Sequence, residues 1–494
     1  MNYRILLRLL AVILLVLAAG LACSFSVSLA FAGTFGPGEG EAVHGLELSA
    51  GIALGLALLL LRLGRGGAPR FFQREGLAVV GLGWITASLI GAIPYYSTVD
   101  GLSFASAFFE SASGFSTTGA TTFDDVEALP KALLFWRGFT QWIGGLGVVI
   151  FFLAVLSSFR PGAKTLLNRE YSGNTKDIPD GRIQTAAARI LALYAALSLL
   201  CACAYRLCGL GWFEAVCHMF TTVSTGGFST RNNGFADFGN PSLEWVAVVF
   251  MITCGLSFLL LLRLARRGGV RFFARNTEAV GYLSLLAAAS LFTWFFLAAS
   301  GESPAAGGTV RAAVFQVTSI LTTTGFATRD YALWAAPAQI LLLGLMVVGG
   351  CSGSTSGGVK VFRIVVAARA IRNHIERAFR PHVVRSVRVG AHALSQREVH
   401  DVTTFLVLGG FLAGISCLAL STLEPTLDPL TAIATVITCF GNVGPGLGAV
   451  GPAETFAFFG DPAKILLALL MIAGRLELLA ILVVAAPSLW KRYS

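Results

Sequence analysis

Four short motifs centred on glycine are the part of this chain best suited to ion chemistry. They read Thr117-Thr118-Gly119, Thr225-Gly226-Gly227, Thr323-Thr324-Gly325 and Asn442-Val443-Gly444. Each follows a short apolar stretch, such as 104–113 or 312–321. A ring of four backbone segments can replace the water shell of a cation with carbonyl oxygens, and glycine adopts the required backbone angles freely. The motifs therefore predict one pseudo-four-fold ion filter within a single chain.

The composition restricts the class of protein that carries these motifs. Of 494 residues, 55% are hydrophobic and only 13% are charged, which predicts a polytopic membrane protein. The candidate transmembrane segments are the apolar runs 6–30, 46–61, 77–93, 133–156, 190–204, 245–262, 280–299, 340–349, 405–420 and 465–486. The first run also resembles a signal peptide, so a retained helix and a cleaved leader are the two alternatives for it.

Every glycine motif occupies the same place in a repeated order of elements. A spanning helix, a short apolar helix, the motif and a second spanning helix follow one another, and the short helices cannot cross a bilayer. Re-entrant segments are stable at membrane depth when they converge within protein or beside water. The predicted fold is an all-α integral membrane protein with four pseudo-symmetric helix–pore-loop–helix repeats around one central pore, plus two extra N-terminal transmembrane helices. The predicted divisions are 1–75 for the N-terminal pair, 76–160 for repeat one, 161–275 for a cytoplasmic loop and repeat two, 276–398 for repeat three, and 399–494 for repeat four.

Polar residues stand nine positions before each central glycine, on otherwise apolar short helices. They are Glu110, His218, Gln316 and Thr435. We expect their side chains to hydrogen-bond the filter segments from behind, and direct ion ligation is the alternative. Five positions after the first three glycines stand Asp124, Asn232 and Asp330. We expect them to brace the outer loops through local pairs with neighbours such as Arg231 and Arg329, the alternative being attraction of cations to the outer mouth.

A run of small residues interrupts the second spanning helix of repeat three. It reads Gly350-Cys351-Ser352-Gly353-Ser354-Thr355-Ser356-Gly357-Gly358. Backbone of this kind near mid-membrane must line a cavity, and its glycines make it flexible, so we expect a gate below the filter. The run lacks the spacing of a phosphate-binding loop. We expect this to be the only broken spanning helix.

Arg475 is a charged residue within the last apolar run. Such a charge is costly in a bilayer and normally faces protein or water. One interpretation makes Arg475 part of the gate, either docked on the hydroxyl groups of 350–358 or repelling cations when the pore is closed. The alternative is an inter-helix salt bridge, with Glu477 close by in the sequence but not one helical turn away.

The basic residues are distributed unevenly along the chain. Most of the 36 lysines and arginines fall in alternate connecting segments, which predicts a cytoplasmic N-terminus. This distribution also accounts for the net charge of +10, so nucleic acid is not an expected partner. The nine cysteines show no metal-ligand spacing, and no paired carboxylates or nucleophile–base set is evident, so we do not expect an enzyme.

At these residues the chain resembles the Trk/Ktr/HKT superfamily of cation transporters, and most of all its bacterial TrkH type. The glycine motifs, the run 350–358, the segment 474–478 and the loop 170–182 carry the resemblance. It implies potassium as the transported ion, bound at the filter residues, because glycine is present at all four central positions. It also implies a homodimer in the cell inner membrane, with one pore per subunit. A cytoplasmic RCK-type nucleotide-binding ring would control the gate, and the basic segment 363–397 is a candidate docking surface for it.

The predicted function is therefore gated, potassium-selective uptake through a backbone-carbonyl filter. The alternative is a potassium secondary transporter coupled to protons or sodium. Such transporters usually combine inverted repeats with several broken helices around a mid-membrane site. Here the repeats read as parallel, since all four motifs fall on the outer side.

Overall fold

The computed structural model describes residues 3–31, 38–66, 73–158, 183–266, 273–300, 306–380, 385–390 and 392–476, with 486 and 490. Three predicted features lie outside these residues. They are the loop 170–182, Glu477 and the end of the last apolar run, beyond Leu476.

Helices make up almost all of the regular secondary structure among the described residues. Before the first glycine motif come α1 (Tyr3–Phe31), α2 (Glu39–Leu63), α3 (Gln73–Gly91), α4 (Ile93–Thr98) and α5 (Phe104–Phe115). The helices that follow are α6 (Lys131–Ser158), α7 (Ile183–Leu207), α8 (Trp212–Val223), α9 (Pro241–Cys254), α10 (Phe258–Arg266), α11 (Thr277–Ala299), α12 (Ala306–Leu321), α13 (Ala336–Val348), α14 (Val361–Phe379), α15 (Gln396–Leu423), α16 (Pro429–Gly441) and α17 (Asp461–Arg475). Between α14 and α15, β1 (Arg388–Val389) pairs antiparallel with β2 (His392–Ala393), so that Arg388 lies opposite Ala393.

The described helices are those of a multi-pass membrane protein. Six of them are long and apolar enough to span a bilayer, or seven if the bent pair α9–α10 counts as one span. The four short helices predicted before the glycine motifs are α5, α8, α12 and α16, none longer than 16 residues. The predicted all-α membrane fold is confirmed.

The apolar core joins successive repeats. One cluster packs α1 and α2 against repeat one, and the next packs α6 against α7, α8 and α9. A third joins α11, α12 and α13 to Val443 of repeat four. A fourth brings Phe109 of α5 against Val436 of α16 and Met471 of α17. Repeat four therefore packs against repeat one, and the repeats close on themselves.

Local capping fixes where two of the short helices begin. Ser103 precedes α5, and its hydroxyl accepts a hydrogen bond from the Ser106 N–H (3.1 Å). Asp428 precedes α16 and caps it in the same way, with Pro429 at the first helical position, where its missing N–H costs nothing. Helix α5 ends at Phe115 and α16 ends at Gly441, so both lead directly into the glycine motifs.

Repeat two contains a second broken spanning helix. Helices α9 and α10 meet at a bend of 99° between Cys254 and Phe258. The expectation that only repeat three is broken was therefore wrong. The run 350–358 satisfies the backbone groups freed by the bend: the Cys351 N–H donates to Gly255 O (2.9 Å), and the Phe258 N–H donates to Gly353 O (3.0 Å). The sequence of α9 and α10 alone does not reveal this partner, which lies about a hundred residues further along.

Candidate functional site

The four glycine motifs share one backbone conformation. We call 117–121, 225–229, 323–327 and 442–446 loops one to four. The φ angles of their central glycines are 85°, 86°, 81° and 99° for Gly119, Gly227, Gly325 and Gly444. The residues two positions earlier also have positive φ, between 53° and 56°: Thr117, Thr225, Thr323 and Asn442. Among the described non-glycine residues, only Lys360 shares this feature. Positive φ is costly for threonine, so its recurrence marks a built site rather than four chance turns.

One hydrogen bond also recurs in all four loops. The residue before each central glycine donates its N–H to a carbonyl in the last turn of the preceding short helix. The bonds are Thr118 to Ser113 (2.9 Å), Gly226 to Thr221 (2.7 Å), Thr324 to Ser319 (2.8 Å) and Val443 to Thr438 (3.0 Å). Loop four, which diverges most in sequence, therefore has the same backbone as the others.

The loops form a closed ring. A Cβ atom added to Gly119 would overlap Gly226 O of loop two, and one added to Gly227 would overlap Thr324 O of loop three. The same overlap links Gly325 to Val443 O, and Gly444 to Thr118 O. Each central glycine thus abuts a carbonyl of the next loop, and loop four returns to loop one. We call Thr118 O, Gly226 O, Thr324 O and Val443 O the ring carbonyls.

A buried ion pair lies behind loops one and two. The Glu110 carboxylate accepts from Arg137 Nε (2.8 Å), from the Thr121 hydroxyl (3.1 Å) and from the Thr122 N–H (3.0 Å). The Arg137 and Glu110 side chains are only 2% and 0% exposed. Arg137 also donates to Ser229 O (3.1 Å). One ion pair therefore holds segments of two loops.

The other predicted support residues differ in what they contact. The His218 ring contacts the Ser229 hydroxyl (3.0 Å) of loop two. Gln316 donates to Phe326 O (3.3 Å) of loop three. Thr435 does not reach loop four, contrary to expectation. Its hydroxyl donates to Thr431 O (2.7 Å), one turn back in its own helix, a common choice for threonine within a helix.

Hydroxyl groups six positions before the central glycines support three loops, and the sequence interpretation missed them. They donate to the carbonyl that follows the glycine: Ser113 to Ala120 (2.6 Å), Ser319 to Phe326 (2.7 Å) and Thr438 to Pro445 (3.0 Å). In repeat two the equivalent Thr221 instead donates to His218 O (3.1 Å). These residues could have been predicted from the sequence, because all four repeats carry a serine or threonine at this position.

Polar side chains brace the outer loops. Asp124 accepts from the Thr455 hydroxyl (2.5 Å), and Asp330 accepts from the Ala332 N–H (2.9 Å). Asn232 accepts from the Val126 N–H (2.7 Å) and donates to Asp125 (3.0 Å). This Asn232 bond, with the Ala128 N–H, holds the pKa of Asp125 below its usual range.

The arginine partners in this region differ from those expected. Arg231 pairs with Glu214 (2.6 Å) and approaches Glu127 (3.7 Å), whereas we expected it to pair with its neighbour Asn232. These contacts tie the loop after α8 to the loop after α5. The outer loops are therefore braced by local pairs as predicted, but Arg231 has other partners than the expected one.

The run 350–358, which we call the intramembrane loop, lies against the inner ends of three glycine loops. The Gly357 N–H donates to the Thr323 hydroxyl (2.6 Å) of loop three. The Thr355 hydroxyl donates to Val223 O (3.1 Å), just before loop two, and to Cys254 O (3.3 Å). A Cβ on Gly357 would overlap Gly441 O, just before loop four.

Arg475 lies at the end of α17 and is 4% exposed. Within the described part of the chain its guanidinium nitrogens have no hydrogen-bond partner. The expected docking on the hydroxyl groups of the intramembrane loop is therefore not among the described contacts. The alternative, an inter-helix salt bridge, is also not among the contacts of Arg475 with the described residues, and Glu477 lies outside them.

The fold and the site define a class of protein: a multi-pass α-helical membrane protein whose repeats close four backbone loops around one axis. A family model described as TrkH, cation transport protein, matches residues 68–492. This chain belongs to the TrkH family of cation transport proteins.

Comparison with individual proteins gives the same family. The Trk system potassium uptake protein TrkH of Salmonella typhimurium is 33% identical over 89% of this chain and 91% of its own length. The Trk system potassium uptake protein TrkI of Halomonas elongata is 35% identical over 83% of each chain. The crystal structure of the potassium transporter TrkH from Vibrio parahaemolyticus superimposes with a TM-score of 0.89 at 29% identity, covering 99% of this chain and all of that one.

Proposed function

We propose that this protein is the membrane pore subunit of a potassium uptake system. The closed ring of four loops, each with a positive-φ glycine against a carbonyl of the next, is the observation that carries the proposal. The relatives are potassium uptake proteins and a potassium transporter by name, which supports potassium as the ion.

In the proposed mechanism, potassium exchanges its water shell for oxygens of loops one to four. The ion-binding residues are Thr117, Thr118 and Gly119 with their counterparts in the other loops: Thr225, Gly226, Gly227, Thr323, Thr324, Gly325, Asn442, Val443 and Gly444. The short helices end at the loops, and the negative ends of their dipoles favour a cation there. A membrane potential, negative inside, drives entry with about 2.3 kcal/mol per charge per 100 mV.

The intramembrane loop is the proposed gate. Its contacts with Thr323, Val223 and Cys254 support this role, because they place the loop against the inner ends of loops two and three. Arg475 is a second gate residue in this proposal, because its buried guanidinium has no hydrogen-bond partner among the described residues and can gain one when the loop moves.

The proposed assembly is a homodimer in the cytoplasmic membrane with its N-terminus in the cytoplasm. A cytoplasmic RCK-type nucleotide-binding ring would move the gate. The exposed basic helix α14 and the sheet β1–β2 form the candidate docking face, since both belong to the basic segment 363–397.

The proposal is tested by rubidium-86 uptake into potassium-loaded liposomes that contain the purified full chain. We expect uptake that external potassium blocks and sodium hardly affects. Equal competition by the two ions would contradict a potassium-selective ring. Absence of uptake with and without a nucleotide-binding partner would contradict a pore.

Coupled secondary transport is the second candidate, and the bend between α9 and α10 favours it, since broken helices are common in such transporters. Liposomes with equal potassium on both sides and no membrane potential distinguish the two candidates. A pore equilibrates rubidium along its own gradient. A coupled transporter accumulates rubidium against that gradient only when a proton or sodium gradient is imposed.

Replacing Thr355 with valine is expected to raise uptake by the pore subunit alone about fivefold. The change keeps the shape of the side chain but removes the hydroxyl that holds the intramembrane loop to Val223 O and Cys254 O, and one such bond contributes about 1 kcal/mol. Thr403→Val is the matched control, because that exposed hydroxyl donates only to Val399 O of its own helix. Equal uptake by both variants and the wild type would show that this docking does not hold the pathway closed.

A further inference from the structure

Loop two lacks two features that support the other loops. Before the central glycine, loops one, three and four carry a side chain, namely Thr118, Thr324 and Val443, whereas loop two carries Gly226. Repeat two also lacks the hydroxyl bond to the carbonyl after the glycine, because Thr221 bonds within its own helix. Loop two nevertheless has the same backbone as the others, with φ of 86° at Gly227. Arg137 and His218 hold loop two at Ser229, so a further contact must hold it beside Gly227.

Gln141 of α6 supplies that support. It is fully buried. Its Nε2 donates to Gly226 O (2.6 Å), and its Oε1 accepts from the Phe228 N–H (3.2 Å). The Gln141 amide is therefore hydrogen-bonded to loop two on both sides of Gly227. One contact needs a donor and the other an acceptor, which fixes the orientation of the amide. A Cβ on Gly226 would overlap the Gln141 amide. The Gln141 side chain of repeat one therefore fills the space that a side chain at position 226 would occupy.

This contact makes the ring asymmetric. Gly226 O is one of the four ring carbonyls, since it faces the position of a Cβ on Gly119. In the described structure, Thr118 O, Thr324 O and Val443 O receive no side-chain hydrogen bond. Gln141 thus restrains the direction of one ring carbonyl and occupies one of the two lone pairs of its oxygen.

We propose that Gln141 is a selectivity-determining positioning residue of the ring. The inference rests on the proposed function, that the ring discriminates potassium from sodium. Discrimination in such rings depends on the spacing and the field strength of the coordinating carbonyls. Without the amide, Gly226 O is free to rotate and to approach a smaller ion more closely. Gln141 therefore acts through Gly226, not by touching the ion.

The test compares Gln141→Leu with Gln339→Leu in the liposome assay. Leucine keeps an apolar bulk at position 141 but makes neither hydrogen bond. Gln339 is the matched control, because its amide donates to two backbone carbonyls, Ala332 O (2.7 Å) and Trp334 O (2.8 Å), away from the ring. We expect Gln141→Leu to lower the ratio of competition by potassium to competition by sodium about fivefold, and Gln339→Leu to leave it unchanged. A wild-type ratio in folded Gln141→Leu overturns the inference.

A second variant covers the case in which Gln141→Leu does not fold. In the double variant Gln141→Ala/Gly226→Ala, the new methyl group at 226 enters the space that the amide has left, but no donor is present. A lowered ratio supports the inference and a wild-type ratio overturns it. Failure of both variants to fold while Gln339→Leu folds also overturns it, because the role of Gln141 is then structural. Failure of the proposed function is a separate result, recognised by a wild-type protein that does not discriminate the two ions.

Discussion

Replacing Gly119 with serine is expected to reduce the preference for potassium over sodium about tenfold, provided that the protein still folds. Gly119 has φ of 85°, and a Cβ there would overlap Gly226 O. Strained backbone of this kind costs about 1–3 kcal/mol, and the strain is relieved only if loops one and two move apart. The ring then widens between loops one and two, so the spacing of its carbonyl oxygens no longer matches potassium. The ratio of potassium to sodium competition against rubidium-86 uptake measures the change.

The control for this substitution is Gly410→Ser in α15. A Cβ at Gly410 meets nothing within 4 Å, and its helical backbone accepts any ordinary residue. The control introduces the same side chain into the same membrane protein away from the ring. A wild-type ratio in folded Gly119→Ser, with the control also unchanged, would show that the glycine ring does not set selectivity.

The positions of the glycine loops were predictable from the sequence because each is encoded locally. A short apolar helix, followed by threonine or asparagine two residues before a glycine, repeats four times. The structure gives all four the same pair of positive φ angles. Local patterns also placed Glu110, His218 and Gln316 behind the loops, since nine residues separate each from its glycine.

Contacts between distant segments were not predictable in the same way. The bend between α9 and α10 depends on backbone partners in the intramembrane loop, which belongs to another repeat. Gln141 looks like an ordinary residue in an apolar helix until the fold brings it to Gly226. The prediction that Thr435 supports loop four was wrong for a different reason. A threonine in a helix has a backbone carbonyl of its own helix within reach, and sequence spacing alone does not reveal which acceptor its hydroxyl uses.

These distant contacts suggest why the loops hold a strained conformation. Gln141 of α6 is hydrogen-bonded to loop two, and Thr323 of loop three is hydrogen-bonded to the intramembrane loop. Loop four reaches loop one through Asn442, whose Nδ2 donates to the Thr118 hydroxyl (2.9 Å). Loops two and four therefore contact another repeat, and loop three contacts a distant segment of its own repeat. A positive φ at a threonine persists because these surrounding contacts determine it. Under the proposed function, selectivity and assembly of the four repeats depend on the same contacts.

The buried pair of Arg137 and Glu110 gives the strongest expected effect on stability. Replacing Arg137 with leucine is expected to lower the unfolding free energy by about 3–5 kcal/mol, because it leaves the Glu110 carboxylate buried without its counter-charge. It also removes the bond to Ser229 O that joins loop two to the pair. Denaturant unfolding of the purified protein in detergent measures the change.

Two comparisons separate this effect from a general loss of charge. Arg311→Leu breaks the pair with Glu244, which has the same 2.8 Å separation but is 27% and 11% exposed, so its effect should be much smaller. The double variant Arg137→Leu/Glu110→Gln removes both charges and is expected to recover part of the lost stability, since no isolated charge remains. If Arg137→Leu were no less stable than Arg311→Leu, the two loops would not depend on the ion pair. If the double variant were as unstable as Arg137→Leu alone, hydrogen bonding and packing by Arg137, rather than its charge, would be what holds loops one and two together.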